Sequence, residues 1–345
     1  MRIDELITAR DIVTYWETKY VDTIPMLGEV LFSNKKVMGM EIEWAKGANN
    51  TPVALKPSQF DVKAPLRDRR GFETMRAEMA FFREGMVVKE ADRQRLMQFM
   101  KMNDPGLVDM VLTNLYDDKA NLISGAKVQR ERMIMQLLSS GRIGIEGENQ
   151  SYEYDYQMDP DNLITPEVKW DQPEANIFKD IAQAQQSARL ANGAILNTAI
   201  CNSSVWNEIF TNEAIVNDIK GLNTNYIVTE NDVKAWFKSK LNLTVVVYDK
   251  IFEDEEGLVQ TYFPDGVFTL IPEGQLGEMM MGTTPEEADG VYSGAANVAI
   301  TDTGVAVTTQ ITVNPVHVET IVSMIALPSF PRINDIRILK EVLTD

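Results

Sequence analysis

The sequence predicts an α+β protein in which extended segments, one very long helix and a mixed α/β body follow one another. Three stretches carry that expectation. Residues 22–65 are interrupted by Pro25, Gly28, Gly39, Gly47, Pro52 and Pro57 and show no compact element. Residues 105–140 keep a helical apolar period with no internal proline after Pro105. From Pro173 onward, helical patterns alternate with β-branched runs.

The elements follow in order. Leu6 to Tyr20 reads as a short amphipathic helix, with Leu6, Ile7, Ile12, Val13 and Trp16 at near-helical spacing. Val37 to Trp44 alternates apolar with polar through Met38, Met40, Ile42 and Trp44, as an extended strand does. Residues 22–65 have little room for a core of their own, so their apolar side chains are expected to bury against other chains. Arg67, Asp68, Arg69 and Arg70 follow at once. They fit either a charged contact between subunits at a loop tip or a solvated turn with local ion pairs; exposed pairs alone contribute little.

Lys89 to Met102 forms a helix, and Asn103 or Asp104 can cap the next one, with Pro105 in its first turn. That second helix runs to a stop at Gly141 and spans about 50 Å. It is longer than a compact core requires. Arg142 to Gln157 reads as two strands around a Gly147-Glu148-Asn149 turn, and residues 160–173 as a connector. Ile177 to Asn192 is an amphipathic helix with Phe178 and Leu190 on its buried side. Ala194 to Cys201 is a buried strand, and Ser203 caps a short helix through Phe210. Thr229 caps a helix bearing Val233, Trp236 and Phe237, and Leu243 to Tyr248 is a buried strand. Pro264-Asp265-Gly266 marks a turn between strands. Ala299 to Val313 reads as an antiparallel pair, Thr320 to Leu327 as a last buried strand, and Ile336 to Val342 as a final strand or short helix.

Composition narrows the function. At 345 residues the chain is long enough to bury a core without disulfide or metal staples, and its single Cys201 cannot form an internal disulfide. A cytoplasmic site is expected, because no apolar run of 18 residues exists and the start, with Asp4 and Glu5, lacks a secretory pattern. The formal charge of −18 argues against a dedicated nucleic-acid grip, which needs basic patches. It favours solubility at high concentration.

Catalytic signatures are missing. His317 is the only histidine and sits in a strand-like VNPVHVET stretch, so a structural role is expected. One His and one Cys exclude a Cys/His zinc site and leave no basis for a Ser-His-Asp triad. No phosphate-loop motif occurs, and Gly141, Gly144 and Gly147 lie in the wrong context for a dinucleotide. Glu253-Asp254-Glu255-Glu256 lacks EF-hand spacing and reads as a solvated turn. No cofactor, metal or catalytic residue is assigned. Eighteen methionines, clustered at 97–102, 133–135 and 279–281, fit adaptable core filling or interfaces that repack.

The order of parts and three local stretches resemble a known family. The stretches are KAPLRDRRG with FFREGMVVKEAD (63–92), YFPDGVFTLIPEGQLGEMMMGTTPEEAD (262–289) and NPVHVETIVSMIALPSFPRINDIRILKEV (314–342). Together they are similar to the lambda-like bacteriophage major capsid protein E family, with the Hong Kong 97-type capsid fold. The resemblance implies an N-terminal arm (1–35), an extended E-loop (36–88), a peripheral P-domain β-sheet with the spine helix 105–140 (89–165 and 328–345), and a mixed α/β axial domain (166–327). It also implies homo-oligomerisation into hexamers and pentamers of an icosahedral shell, enclosing double-stranded DNA without sequence-specific binding. The expected partners are a scaffold or protease, a portal and a decoration protein, with no membrane. The expected location is the virion, after assembly in a bacterial cytoplasm. An encapsulin-like compartment of the same fold and, more remotely, a carboxylate-based hydrolase are the competing readings.

Overall fold

The computed structural model describes residues 8–19, 26–46, 73–88, 105–147, 150–222, 225–288, 297–313 and 316–344, with single helical positions between 90 and 101. Helix α1 (Ala9–Lys19) and the short α2 (Leu27–Leu31) lead into strand β1 (Phe32–Lys36) and the paired β2 (Glu41–Lys46) and β3 (Glu73–Glu78). Strand β4 (Ala80–Val88) precedes the 36-residue α3 (Pro105–Ser140). The hairpin β5 (Arg142–Ile145) and β6 (Tyr152–Asp155) and the two-residue β7 (Leu163–Ile164) follow. Then come α4 (Ile177–Asn192), β8 (Leu196–Cys201), α5 (Ser203–Thr211), α6 (Glu213–Lys220), α7 (Glu230–Leu241) and β9 (Thr244–Val247). A second hairpin, β10 (Ile251–Glu253) and β11 (Val259–Thr261), precedes β12 (Phe268–Pro272) and β13 (Gly277–Met281). The last strands are β14 (Asn297–Thr301), β15 (Val305–Val313), β16 (Val316–Ser329) and β17 (Arg337–Leu339).

The chain divides into two compact units. The first comprises Met1–Ile42, Arg76–Met133 and Glu278–Ser329; the second comprises Glu43–Met75, Ile134–Gly277 and Phe330–Asp345.

The 14-residue β16 organises the first unit. Strand β15 pairs antiparallel along it from Met324 to Val316, and β4 from Ala326 to Val318. Ala326 faces both Met281 of β13 and Ala80 of β4, so β13 continues the β15 edge while β4 takes the other. Both edges of the strand are therefore occupied. Gly282 follows β13 where a Cβ would lie 2.6 Å from Ile325 and 2.8 Å from the Gly39 carbonyl, so only glycine fits.

The second unit holds the mixed sheet β7-β17-β12-β8-β9. Strands β8 and β9 are parallel, as are β17 and β7, while β12 runs antiparallel to its neighbours. Phe268, Leu270, Ala199, Cys201 and Leu339 point to one face and pack with Ile181, Val205, Trp206, Val233 and Phe237 from α4, α5 and α7. The intervening Ile200, Thr269, Ile271 and Ile338 are also at most 1% exposed. Their face is covered too: Thr269 Oγ1 donates to the Leu138 carbonyl of α3 at 2.9 Å. A sheet buried on both faces explains runs that are apolar throughout.

The local chemistry explains several elements. Gly141 adopts φ 74° and its N–H closes on the Leu137 carbonyl at 2.9 Å, which ends α3 where the sequence places the stop. Thr229 and Asp232 form a reciprocal capping box at α7. Thr8 and Asp11 do the same for α1, with Asp11 N–H on Thr8 Oγ1 at 3.2 Å and Thr8 N–H on Asp11 at 3.4 Å.

Other expectations are corrected. Met38 and Met40 lie in a turn, 95% and 44% exposed, and alternation begins only at Glu41, with Ile42 and Trp44 buried. The interrupted stretch after Pro25 holds α2, and Leu31 and Phe32 are buried within the subunit. Residues 160–173 are more than a connector. Strand β7 joins the sheet edge, and Trp170 packs edge-on against Phe268 at 5.2 Å. Leu190 is 78% exposed, and Phe178 sits at the margin against Trp236, because the buried stripe of α4 runs through Ile177, Ile181, Ala184 and Ala188. Asn202, not Ser203, caps α5 through the Val205 N–H. In the two compact units, residues 278–329 group with the first, where β16 pairs with β4, and residues 330–345 with the second, where β17 joins the sheet.

Candidate assembly surface

Within the first unit, α3 is a rail to which other segments are tied. Along one stretch, Tyr15 donates to Asp117 at 2.7 Å, Lys19 reaches the same carboxylate at 2.5 Å, and the Trp16 indole N–H donates to Ser124 Oγ at 3.1 Å. Lys127 covers the Trp16 ring at 4.9 Å. The hydrogen bonds from Lys19 and Tyr15 hold the Asp117 carboxyl below the usual carboxylate range, and the same bond to Asp117 raises the Lys19 ammonium. Ala9, Ile12, Val13 and Trp16 are buried beneath this ladder. Residues 9–19 therefore dock on their own subunit, as the amphipathic helix that their spacing predicts.

One helical turn further, Glu131 is 1% exposed and both its oxygens accept the Gly28 N–H, at 2.9 and 3.0 Å. The carboxylate sits at the N-terminal turn of α2, where unsatisfied N–H groups favour negative charge. The adjacent Arg130 pairs with Asp302 in the β14–β15 turn, and Asp302 and Thr303 there adopt φ 47° and 70°. Arg83 pairs with Glu286, and Lys36 with Glu287 at 2.5 Å.

The sequence-assigned residues Arg67, Asp68, Arg69 and Arg70 lie outside the described residues, as does most of the Lys89–Met102 helix. The other singled-out positions are placed. His317 faces Thr312 across the β15–β16 ladder. Asp254 accepts the N–H groups of Glu256 and Leu258 at 3.1 and 2.8 Å, so the acidic run is the turn of the β10–β11 hairpin. Met133, Met135, Met279 and Met281 are at most 1% exposed, which is core packing, whereas Met97 is 49% exposed. Cys201 is buried, and burial pushes its thiol up to about 12, so it stays protonated at neutral pH. Among the described residues no group of three His, Cys, Asp or Glu could hold a metal ion, and no helix is long and apolar enough to cross a membrane.

The second unit presents two surfaces that the sequence does not announce. One is the β10–β11 hairpin, with Ile251, Leu258 and Val259 each more than half exposed. The other is an open groove of about 650 Å³ between α6 and α7, lined by Asp218, Lys220, Tyr226, Asp232, Trp236 and Lys240. Leu222 and Ile227, both largely exposed, lie in the connection between those helices. Short apolar runs read as buried strands in sequence, so only solvent exposure distinguishes these surfaces.

The chain is similar in structure to a protein described as a prophage capsid protein of E. coli CFT073, at 15% identity and TM-score 0.60, covering 97% of this chain and 99% of that one. A phage-related protein from Bordetella bronchiseptica RB50 matches at 12% identity and TM-score 0.58, over 97% and 98% of the two chains. The cyanophage A-1(L) capsid matches at 11% identity and TM-score 0.52, over 92% of each chain. The fold is thus the Hong Kong 97-type capsid fold. No curated protein matches in sequence. The family model for phage major capsid protein E matches residues 8–340, and the chain belongs to that family.

Proposed function

We propose that copies of this chain form the hexamers and pentamers of an icosahedral head that encloses double-stranded DNA in a tailed phage or prophage. Membership of the major capsid protein E family over residues 8–340 is the observation that carries this reading. The net charge of −18 supports enclosure of DNA without a sequence-specific grip. In this reading the chain acts through its inter-subunit surface rather than through a catalytic site, and assembly takes place in the host cytoplasm with a scaffold or protease, a portal and a decoration protein. The first unit, with most of α3 and the β16 sheet, corresponds to the arm and peripheral parts, and the second to the axial part. Arg67, Asp68, Arg69 and Arg70 make a charged contact with a neighbouring subunit.

Electron microscopy of the purified protein tests the proposal. Closed shells, or free hexamers and pentamers, are expected. A well-folded monomer that stays monomeric at high concentration and with its partner proteins overturns it.

A further inference from the structure

We infer that the acidic hairpin β10–β11 of one subunit docks in the α6–α7 groove of a second copy of this chain. This rests on the shell function and assigns one of its contacts. Three observations support it.

The hairpin is built to be covered. Ile251, Leu258 and Val259 are 62%, 54% and 67% exposed on a two-stranded ribbon that has no other strand partner among the described residues. An isolated ribbon of this kind gains stability from an apolar partner. Its tip carries Glu253, Glu255 and Glu256, all exposed.

The groove offers the complementary chemistry. Leu222 and Ile227, 105% and 83% exposed, adjoin a floor formed by Trp236. The groove's own carboxylates are already engaged. Asp218 accepts the Trp236 indole N–H at 2.5 Å and pairs with Lys240 at 3.0 Å. Asp232 closes the α7 capping box and receives the Tyr226 hydroxyl. Lys220 makes no ion pair among the described residues and lines the groove. A ribbon with apolar sides and a carboxylate tip matches a groove of mixed lining, in which Ile219, Ala235 and Trp236 are the apolar part and Lys220 supplies a cation.

The contact is between copies. The hairpin's apolar residues are exposed and none lines the groove, so the subunit does not fill its own site. Two different patches that meet between identical copies make a head-to-tail contact, which closes into a ring when the rotation allows. A ring is what a shell capsomer requires.

Cysteine pairing tests this directly, and the single native Cys201 is buried, so its background is low. In shells assembled from Leu222→Cys/Leu258→Cys protein, a short bis-maleimide is expected to turn monomer into a ladder that stops at the ring size. Intact shells that stay monomeric on a denaturing gel overturn the docking and leave the shell function standing. Dimers alone from the single Leu258→Cys variant also overturn it, because they place hairpin against hairpin. If the double-cysteine protein does not assemble, charge reversal decides. Lys220→Glu and Glu256→Lys are each expected to lower the assembled fraction about tenfold, and their combination to restore it. Two folded single variants that assemble normally, or a combination that restores nothing, overturn the assignment. Failure of the unaltered protein to form shells counts against the function instead.

Discussion

Each unit buries a cation, and the two are treated differently. Arg337, 2% exposed in the second unit, donates to Ser187 Oγ at 3.0 Å and to the carbonyls of Asn334 and Ile336 at 3.1 and 2.8 Å. Lys119, 1% exposed on α3 in the first unit, where the buried Arg130 has its pair in Asp302, has no hydrogen-bond partner for its ammonium among the described residues. A buried charge with its hydrogen bonds made is tolerated, whereas one without them opposes folding. The surroundings differ as well. Arg337 sits on a sheet whose helix-covered face is an apolar cluster. The first unit instead relies on polar ties along α3: Asp117, Ser124, Arg130 and Glu131. The second unit is a core that holds itself together. The first is a set of segments fastened to a helix, with one buried charge left unanswered.

The comparison can be broken at its strongest point first. Phe237→Ala empties the fully buried centre of the second unit and is expected to cost about 3–5 kcal/mol in urea unfolding. Arg337→Met comes next. It leaves the Ile336 carbonyl and Ser187 Oγ without this donor, while the Asn334 carbonyl keeps Asn192, and is expected to destabilise by about 2–3 kcal/mol.

Lys119→Met should have the opposite sign, a gain of about 1–3 kcal/mol in the same assay, because it removes a desolvated charge and breaks no bond. The pH dependence sharpens this. Burial lowers the Lys119 amine from 10.5 to about 8. Below pH 8 the group is protonated in both states, and the folded state bears the full penalty. Between about pH 8 and 10.5 the unfolded chain binds the proton and the folded chain does not, so the contribution to stability rises with pH. Subtracting the Lys119→Met profile from that of the unaltered protein should reveal this rise; a flat difference contradicts it.

The smallest change in stability is expected from replacing residues 47–72, which join β2 to β3, with a short Gly/Ser linker. Loop shortening of this kind alters unfolding by less than about 1 kcal/mol. Assembly, followed by electron microscopy, should be lost. A wider deletion, over 36–82, would also remove Ala80, Phe81 and Phe82, which pair with β16.

What could be read from the sequence was what local chemistry decides. Helix α3 announces itself by a 36-residue period and a glycine stop, α7 by Thr229, and the β14–β15 pair by alternation. Helix α2 does not, because five residues cannot hold a helix alone and its support is Glu131, 103 residues away. Helix α6 hides because Ile215 is its only buried side chain and Asn212 both ends α5 and caps α6. Strand β7 is two residues whose partner lies at β17. The shell function was legible through ordered family motifs. The hairpin and groove were not, since Leu258 and Leu222 look like any core leucine until their exposure is known.

The pairing of β4 with β16 also sets a timetable for synthesis. Residues 80–88 find their partners at 318–326, so this ladder cannot form until more than 200 further residues have been translated. At ordinary elongation rates that wait is roughly 10–50 s. Throughout it, the nascent Phe81, Phe82 and Val88 have an open strand edge, which is a template for pairing with the wrong chain. Strand β17, which joins β7 to β12 in the other sheet, is made later still. The ribosome therefore emits a chain whose two sheets both close in the last tenth or so of its length.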